Sequence, residues 1–156
     1  MACAAWAVGE SGVDLVDASV PWQGIAESGE DVVLHDSLCP MTPPWFIQAC
    51  LERARESGRP VVGVRPVTDT VKVVSGGVVG ETLDRDDLLA ITSPLVLPAH
   101  VVSQLALRPS TDLARAVADL AAAGHQVEPV TAPPEGRRVA STEDLRLLDA
   151  LTTGRG

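Results

Sequence analysis

The sequence predicts an α/β domain with a largely parallel β-sheet and a projecting β-hairpin. Short apolar runs typical of buried strands alternate along the chain with amphipathic stretches typical of helices, and this order is characteristic of α/β domains. The chain has 156 residues, of which 46% are hydrophobic. A chain of this length can form one hydrophobic core but is short for two, so we expect a single domain over residues 1–156.

The first half of the chain predicts two strands, a helix between them and a hairpin. The strands are the apolar runs at residues 31–35 and 60–64. Between them, Thr42 is expected to cap a helix that has two prolines in its first turn and ends at Gly58. The β-branched runs "VKVV" and "VVGETL" flank "SGG", which predicts a hairpin arm over about residues 66–83.

The second half predicts mainly helical segments, which are expected at residues 84–91, 98–107, 110–124 and 141–154. The third of these should begin at Ser110 or Thr111 and end at Gly124. The last should begin with a Ser or Thr cap and an acidic first turn. A strand is expected at residues 126–131, followed by the loop "PPEGRR".

Charge and cysteine content limit the classes of partner. The formal charge of −9 opposes binding to nucleic acid and to anionic membranes. Cys3, Cys39 and Cys50 have neither disulfide-framework nor zinc-site spacing. The opening "MACAAWAV" lacks the basic residues of a signal peptide. We therefore expect a cytoplasmic protein, with Cys50 as a packing residue inside a helix.

Polar residues at the ends of the first two strands mark a candidate site. His35 and Asp36 follow one strand, and residues 65–70 follow the next. Ligands of α/β sheets collect at the carboxyl ends of strands. Asp36 could hold Mg²⁺, or it could accept backbone N–H bonds and thereby cap its own loop; the pattern leaves both open.

Four sequence blocks resemble a known family. "HDSLCPMTPP", "RPVTDTVKVV", "GGVVGETLDRDDLLAITSP" and "STEDLRLLDAL" occur in the order found in the C-terminal two-thirds of 2-C-methyl-D-erythritol 4-phosphate cytidylyltransferases. These isoprenoid-pathway enzymes join CTP to a sugar-alcohol phosphate. The resemblance covers residues 31–151, so that residues 1–30 form a divergent N-terminal segment. It implies a Rossmann-like nucleotidyltransferase sandwich, truncated at the N-terminus, and a homodimer formed through the arm.

The resemblance also implies roles for four residues. Asp36 matches the aspartate of the family's "HDA" motif, near the metal and the nucleotide. Thr70 and Arg85 match arm residues that help to bind the substrate phosphate, and an active chain would use Arg85 as a catalytic residue. Arg138 lies where the family has a lysine and would bind the substrate phosphate. Mg²⁺ is implied only if the activity is retained, and no other cofactor is expected.

Two departures from the family pattern concern the nucleotide. The family's glycine-rich, basic loop has no counterpart here, since the first Arg or Lys is Arg53. Cys39 stands where the family has an arginine. Because nucleotidyl transfer depends on neutralising phosphate charge, we expect a non-catalytic homologue that acts in binding, regulation or assembly. The alternatives are an enzyme or phosphate-ligand binder that uses the four residues above, and a structural subunit of a complex.

The missing N-terminal unit also implies a surface for a protein partner. Removing a strand and a helix from a sheet leaves a bared strand edge. We expect a partner at this edge or at the N-terminal segment. Trp6 and Trp22 lie in that segment, where they either pack onto the core or anchor a partner.

Overall fold

A computed structural model describes residues 13–16, 19–66, 72–75, 78–82 and 89–153 of the chain. The strands are β1 (Val32–Leu34), β2 (Val61–Pro66), β3 (Lys72–Ser75), β4 (Val78–Thr82), β5 (Leu89–Leu97) and β6 (Glu128–Thr131). The helices are α1 (Trp22–Ala26), α2 (Pro44–Ser57), α3 (Ala99–Val102), α4 (Leu113–Ala122) and α5 (Thr142–Thr153), with a 3₁₀ turn at Pro134–Gly136. None of the helices in this part of the chain has both the length and the apolar character that a membrane crossing requires.

The main sheet confirms the α/β fold class but corrects the prediction of a largely parallel sheet. Its strand order is β1-β5-β2-β6. β5 runs antiparallel to both β1 and β2, and only β2 and β6 pair in parallel. The predicted order of strand, helix and strand favours parallel pairing of β1 with β2. Strand β5 lies between them instead and pairs with both in the antiparallel direction.

An irregularity in β5 shapes the sheet next to β2. Val62 faces Leu95 and Gly63 faces Thr92, so Ser93 and Pro94 are additional residues on β5. The peptide bond between these two residues is cis. A Cβ atom on Gly63 would lie 2.7 Å from the Ser93 carbonyl oxygen, which leaves no room for a side chain there. The sheet therefore contains a β-bulge whose close backbone approach requires glycine.

Two clusters of buried side chains lie on the main sheet. Helix α2 contributes Phe46, Ile47, Cys50 and Leu51 to the first, together with Val61 and Val96. The second contains residues of β2, β5, α3 and α4, including Leu95, Leu97, Val101 and Leu120. Cys50 is fully buried, which confirms its packing role. Burial raises the pKa of its thiol to about 12, so the thiol is inert as a nucleophile at neutral pH.

The helix ends agree with the sequence in part. Gly58 ends α2 with φ of +64°, as predicted. Pro43, not Thr42, is the N-cap of α2, because the Thr42 hydroxyl donates to the Cys39 carbonyl. Asp112, not Ser110 or Thr111, caps α4 by accepting from the Ala114 and Arg115 amides. At the start of α5, Ser141 and Asp144 exchange the reciprocal bonds of a capping box.

Two helix predictions are wrong in the described residues. Residues 89–91 belong to strand β5, because pairing with β2 overrides their local helical pattern. The helix predicted at residues 98–107 ends at Val102. Beyond it, the Leu105 carbonyl accepts the indole N–H of Trp22 at 2.8 Å instead of a helical amide.

Trp22 packs onto the second core cluster, where the guanidinium of Arg108 lies 5.9 Å from its ring centre. Trp22 is partly buried, so it packs onto the core but keeps an exposed part, whereas Trp6 lies outside the described residues. The predicted hairpin is present as β3 and β4, which pair with each other in a separate two-stranded sheet.

Candidate functional site

Asp36 lies where the chain leaves β1, and both of its carboxylate oxygens are bonded. Its Oδ1 accepts from the Leu38 amide at 2.9 Å, so the loop-capping interpretation of Asp36 is correct. Its Oδ2 accepts from Arg138 Nε at 2.8 Å. The backbone amide of Asp36 donates to Ser93 Oγ at 2.7 Å. The residue is thus held by its own loop, by the β5 bulge and by a distant arginine.

Arg138 reaches Asp36 from the loop that follows the 3₁₀ turn. The two residues are 102 positions apart in the sequence, yet they form a close ion pair. The Arg138 side chain is 49% exposed and that of Asp36 is 19% exposed, so solvent screens the pair on one side. The hydrogen bond that Arg138 donates to Asp36 raises the pKa of the guanidinium above its ordinary value. The structure therefore brings together two of the four predicted site residues.

The other two predicted residues, Thr70 and Arg85, lie outside the described residues. The ends of β1 and β2 do lie at the same edge of the sheet, because both strands run antiparallel to β5. Arg65, at the end of β2, does not line the cleft beside Asp36. Its Nη1 donates to the Ala132 carbonyl at 3.1 Å, and burial lowers its pKa.

An open cleft of about 570 Å³ lies beside the Asp36–Arg138 pair. Its other walls come from the start of β5 and from the N-terminus of α4, through Leu89, Ile91, Thr111, Asp112, Leu113 and Ala114. Among the described residues that line it, the charged ones are two aspartates and one arginine. This described lining therefore has a net negative charge.

A buried polar network beneath Asp36 was missed by the sequence interpretation. Thr92 donates its hydroxyl proton to the Gly136 carbonyl. The Cys39 sulfur lies 3.2 Å from Thr92 Oγ1, and the Thr92 hydroxyl has only one proton, so the thiol is the donor in this contact. A Pro inside a β-branched strand is the sequence signal that could have indicated a bulge there.

Cys39, which the family resemblance matches to an arginine, points into this network. It is fully buried, and burial raises the pKa of its thiol. A neutral, buried thiol cannot bind a phosphate group. The position therefore serves the packing of the loop and contributes no charge to the cleft.

His35 precedes Asp36 and differs from expectation. Both of its ring nitrogens are buried, and neither has a hydrogen-bond partner among the described residues. A histidine at a strand end is expected to be buried and to have a hydrogen-bond partner. The burial of its ring nitrogens is confirmed, but the expected hydrogen bond is not present within the part of the chain that the structure describes. Burial lowers the pKa of His35, and the nearby Asp36 offsets this only in part, which favours the neutral ring.

The donor set does not fit a resident Mg²⁺ in this arrangement. Both oxygens of Asp36 are engaged, and the described residues contain no group of three or more His, Cys, Asp or Glu side chains that could hold a metal. Asp112 lines the same cleft, but its Oδ1 caps α4. A cation at Asp36 would have to use the remaining lone pairs of these oxygens, beside the positive charge of Arg138, which opposes it.

Comparison with known proteins identifies the family. The family model described as "IspD: 2-C-methyl-D-erythritol 4-phosphate cytidylyltransferase" matches residues 13–153. The chain belongs to this cytidylyltransferase family. The resemblance deduced from the four sequence blocks is therefore confirmed.

Relatives that carry this family name are similar along most of the chain. The cytidylyltransferase of Syntrophotalea carbinolica is 30% identical over 131 residues, which cover 80% of this chain and 54% of the relative. That of Nocardia farcinica is 35% identical over 122 residues, covering 76% and 52%. The chain thus spans about half the length of these relatives.

Solved cytidylyltransferase structures have the same fold. The enzyme of Thermus thermophilus aligns with a TM-score of 0.62 and 24% identity, covering 83% of this chain and 66% of that one. This confirms the nucleotidyltransferase fold.

Proposed function

We propose that this chain is a non-catalytic member of the cytidylyltransferase family that acts in binding, regulation or assembly. The observation that carries the proposal is that both oxygens of the Asp36 carboxylate accept hydrogen bonds from within the chain. Arg138 and the Leu38 amide occupy its two oxygens, so the residue matched to the family's metal-site aspartate is already neutralised within the chain.

The electrostatics of the cleft support the proposal. Nucleotidyl transfer requires cations and free amides around phosphate oxygens. The described residues that line the cleft include one arginine and two aspartates. The amides at the start of α4 would suit an anion, but Asp112 already accepts from them. Arg53, in α2, forms an ion pair with Glu128 instead of lining the cleft.

Features outside the cleft support a role in assembly. The β3–β4 hairpin forms its own sheet, as expected of an arm that pairs two protomers in a homodimer. Within the described residues, β1 pairs with β5 alone, so its outer edge is a place where a protein partner could add a strand. The charge of −9 disfavours nucleic acid as the partner. We place this role in the cytoplasm, because the two described cysteines, Cys39 and Cys50, are unpaired thiols.

A second candidate function is supported by one observation. Asp36 and Arg138, which the family resemblance assigns to the same site, are in contact beside an open cleft. An enzyme or phosphate-ligand binder of methylerythritol phosphate metabolism would use these two residues together with Thr70 and Arg85. It would also need Mg²⁺ to enter with the ligand and to bind Asp36 beside the guanidinium of Arg138.

Calorimetric titration with CTP and Mg²⁺ separates the two functions. We expect no saturable heat with CTP up to millimolar concentration. Micromolar binding that is lost in Asp36→Ala would show a retained nucleotide site and would favour the second candidate. Asp119→Ala is the matched control, because that carboxylate lies in α4, outside the cleft, and forms only a 3.9 Å contact with Arg115.

A further inference from the structure

We propose that Thr92 and Ser93, at the bulge of β5, are positioning residues that set the contact between Asp36 and Arg138. Asp36 and Arg138 lie on two loops that are far apart in the sequence. Each loop is bonded to one of these two β5 residues. The importance of this contact rests on the function proposed above, but its geometry can be tested without any ligand.

Ser93 holds the loop that carries Asp36. Its Oγ accepts the Asp36 backbone amide at 2.7 Å, and the side chain is fully buried. The bond therefore fixes the point at which the chain turns out of β1. From there, the Cys39 amide donates to the Asp36 carbonyl at 2.8 Å, which continues the turn.

Thr92 holds the loop that carries Arg138. Its hydroxyl donates to the carbonyl of Gly136, two residues before the arginine. The same oxygen accepts from the Cys39 thiol, three residues after Asp36. One nearly fully buried hydroxyl thus links both loops. A second link lies farther out, where the Val139 amide donates to the Leu38 carbonyl at 2.7 Å.

Ser93 is an additional residue of the bulge, and Thr92, which precedes it, pairs with Gly63 of β2. Regular pairing would place one β5 residue opposite each residue of β2, whereas here Ser93 and Pro94 are additional. The backbone at Ser93 approaches β2 so closely that only glycine fits at position 63. Bulges of this kind commonly re-aim side chains next to functional sites. The network is buried and its bonds are satisfied, so it can hold one geometry.

The test uses the Nε–H resonance of Arg138 in ¹H–¹⁵N NMR spectra, identified by its disappearance in Arg138→Lys. In the native protein the bond to Asp36 Oδ2 should protect this proton from exchange and shift its resonance. We expect Thr92→Val and Ser93→Ala to lose the protection and the shift. Thr92→Ser keeps the hydroxyl and should retain both.

A matched control separates positioning from general destabilisation. Val101→Ala removes buried volume from α3, in the second core cluster, and should lower stability while leaving the Arg138 signal unchanged. The proposal is overturned if Thr92→Val and Ser93→Ala leave the signal unchanged, or if Val101→Ala removes it equally. CTP titration does not enter this test, so failure here and failure of the proposed function are separate results.

Discussion

At the scale of single residues, the Asp36–Arg138 ion pair is expected to contribute little to the free energy of unfolding. Arg138 is about half exposed, and exposed ion pairs typically contribute about 0.2–1 kcal/mol. We expect Arg138→Gln to lower the free energy of unfolding, measured in urea, by an amount in this range. Arg115→Gln, which removes a looser and more exposed pair, should change it less. A loss of several kcal/mol for Arg138→Gln would contradict the interpretation of this ion pair as exposed and weakly stabilising.

His35 should make stability depend on pH. Burial lowers its pKa below the ordinary value of 6.5, so the unfolded chain takes up the proton at a higher pH than the folded protein does. The free energy of unfolding should therefore fall as the pH is lowered from above 6.5 towards the folded-state pKa. Urea titrations at several pH values should show a weaker dependence in His35→Gln. His100→Gln, which alters an exposed histidine, should keep the native dependence.

At the scale of elements, the start of α4 depends on a single side chain. Asp112 accepts from two amides of the first turn, and loss of such a cap costs about 1 kcal/mol. We expect Asp112→Ala to lower the free energy of unfolding by about that amount. Thr111→Ala, at an exposed neighbour that the sequence also offered as the cap, should have little effect. Equal effects of the two variants would show that the cap is misassigned.

The contact between β2 and the bulge gives a second prediction at this scale. A Cβ at position 63 would meet the Ser93 carbonyl oxygen, which belongs to the backbone and cannot easily move. Overpacking of this kind costs about 1–3 kcal/mol, and we expect that loss for Gly63→Ala in urea unfolding. A Cβ added at Gly24, in α1, would meet no heavy atom within 4 Å, so Gly24→Ala should leave stability unchanged or raise it slightly. A stable Gly63→Ala protein would contradict the bulge geometry.

The elements also show what the sequence could predict and where it could not. Helix α2, strand β2 and the hairpin follow from local signals, namely the prolines and Gly58, the β-branched run and the Gly-Gly turn. The strand at Leu89–Leu97 does not, because its pairing with two other strands outweighs local propensity. Asp36 and Arg138 are assigned to one site only through the family resemblance. Their direct contact depends on a bulge that periodicity does not reveal.

At the scale of the whole molecule, the hairpin arm should control oligomeric state. We expect the purified protein to sediment as a homodimer. Replacing residues 72–82 with a short Gly-Ser linker should give a monomer with unchanged circular dichroism from the α/β domain. A native protein that sediments as a monomer, or a shortened one that remains dimeric, would reject the arm as the dimer contact.

The most direct test of the non-catalytic proposal is pyrophosphate release from CTP in the presence of 2-C-methyl-D-erythritol 4-phosphate and Mg²⁺. Because Asp36 is neutralised and the cleft is acidic, we expect the purified chain to release no pyrophosphate above the rate without protein. Release that requires both substrates and disappears in Asp36→Ala would contradict the proposal and establish an active cytidylyltransferase.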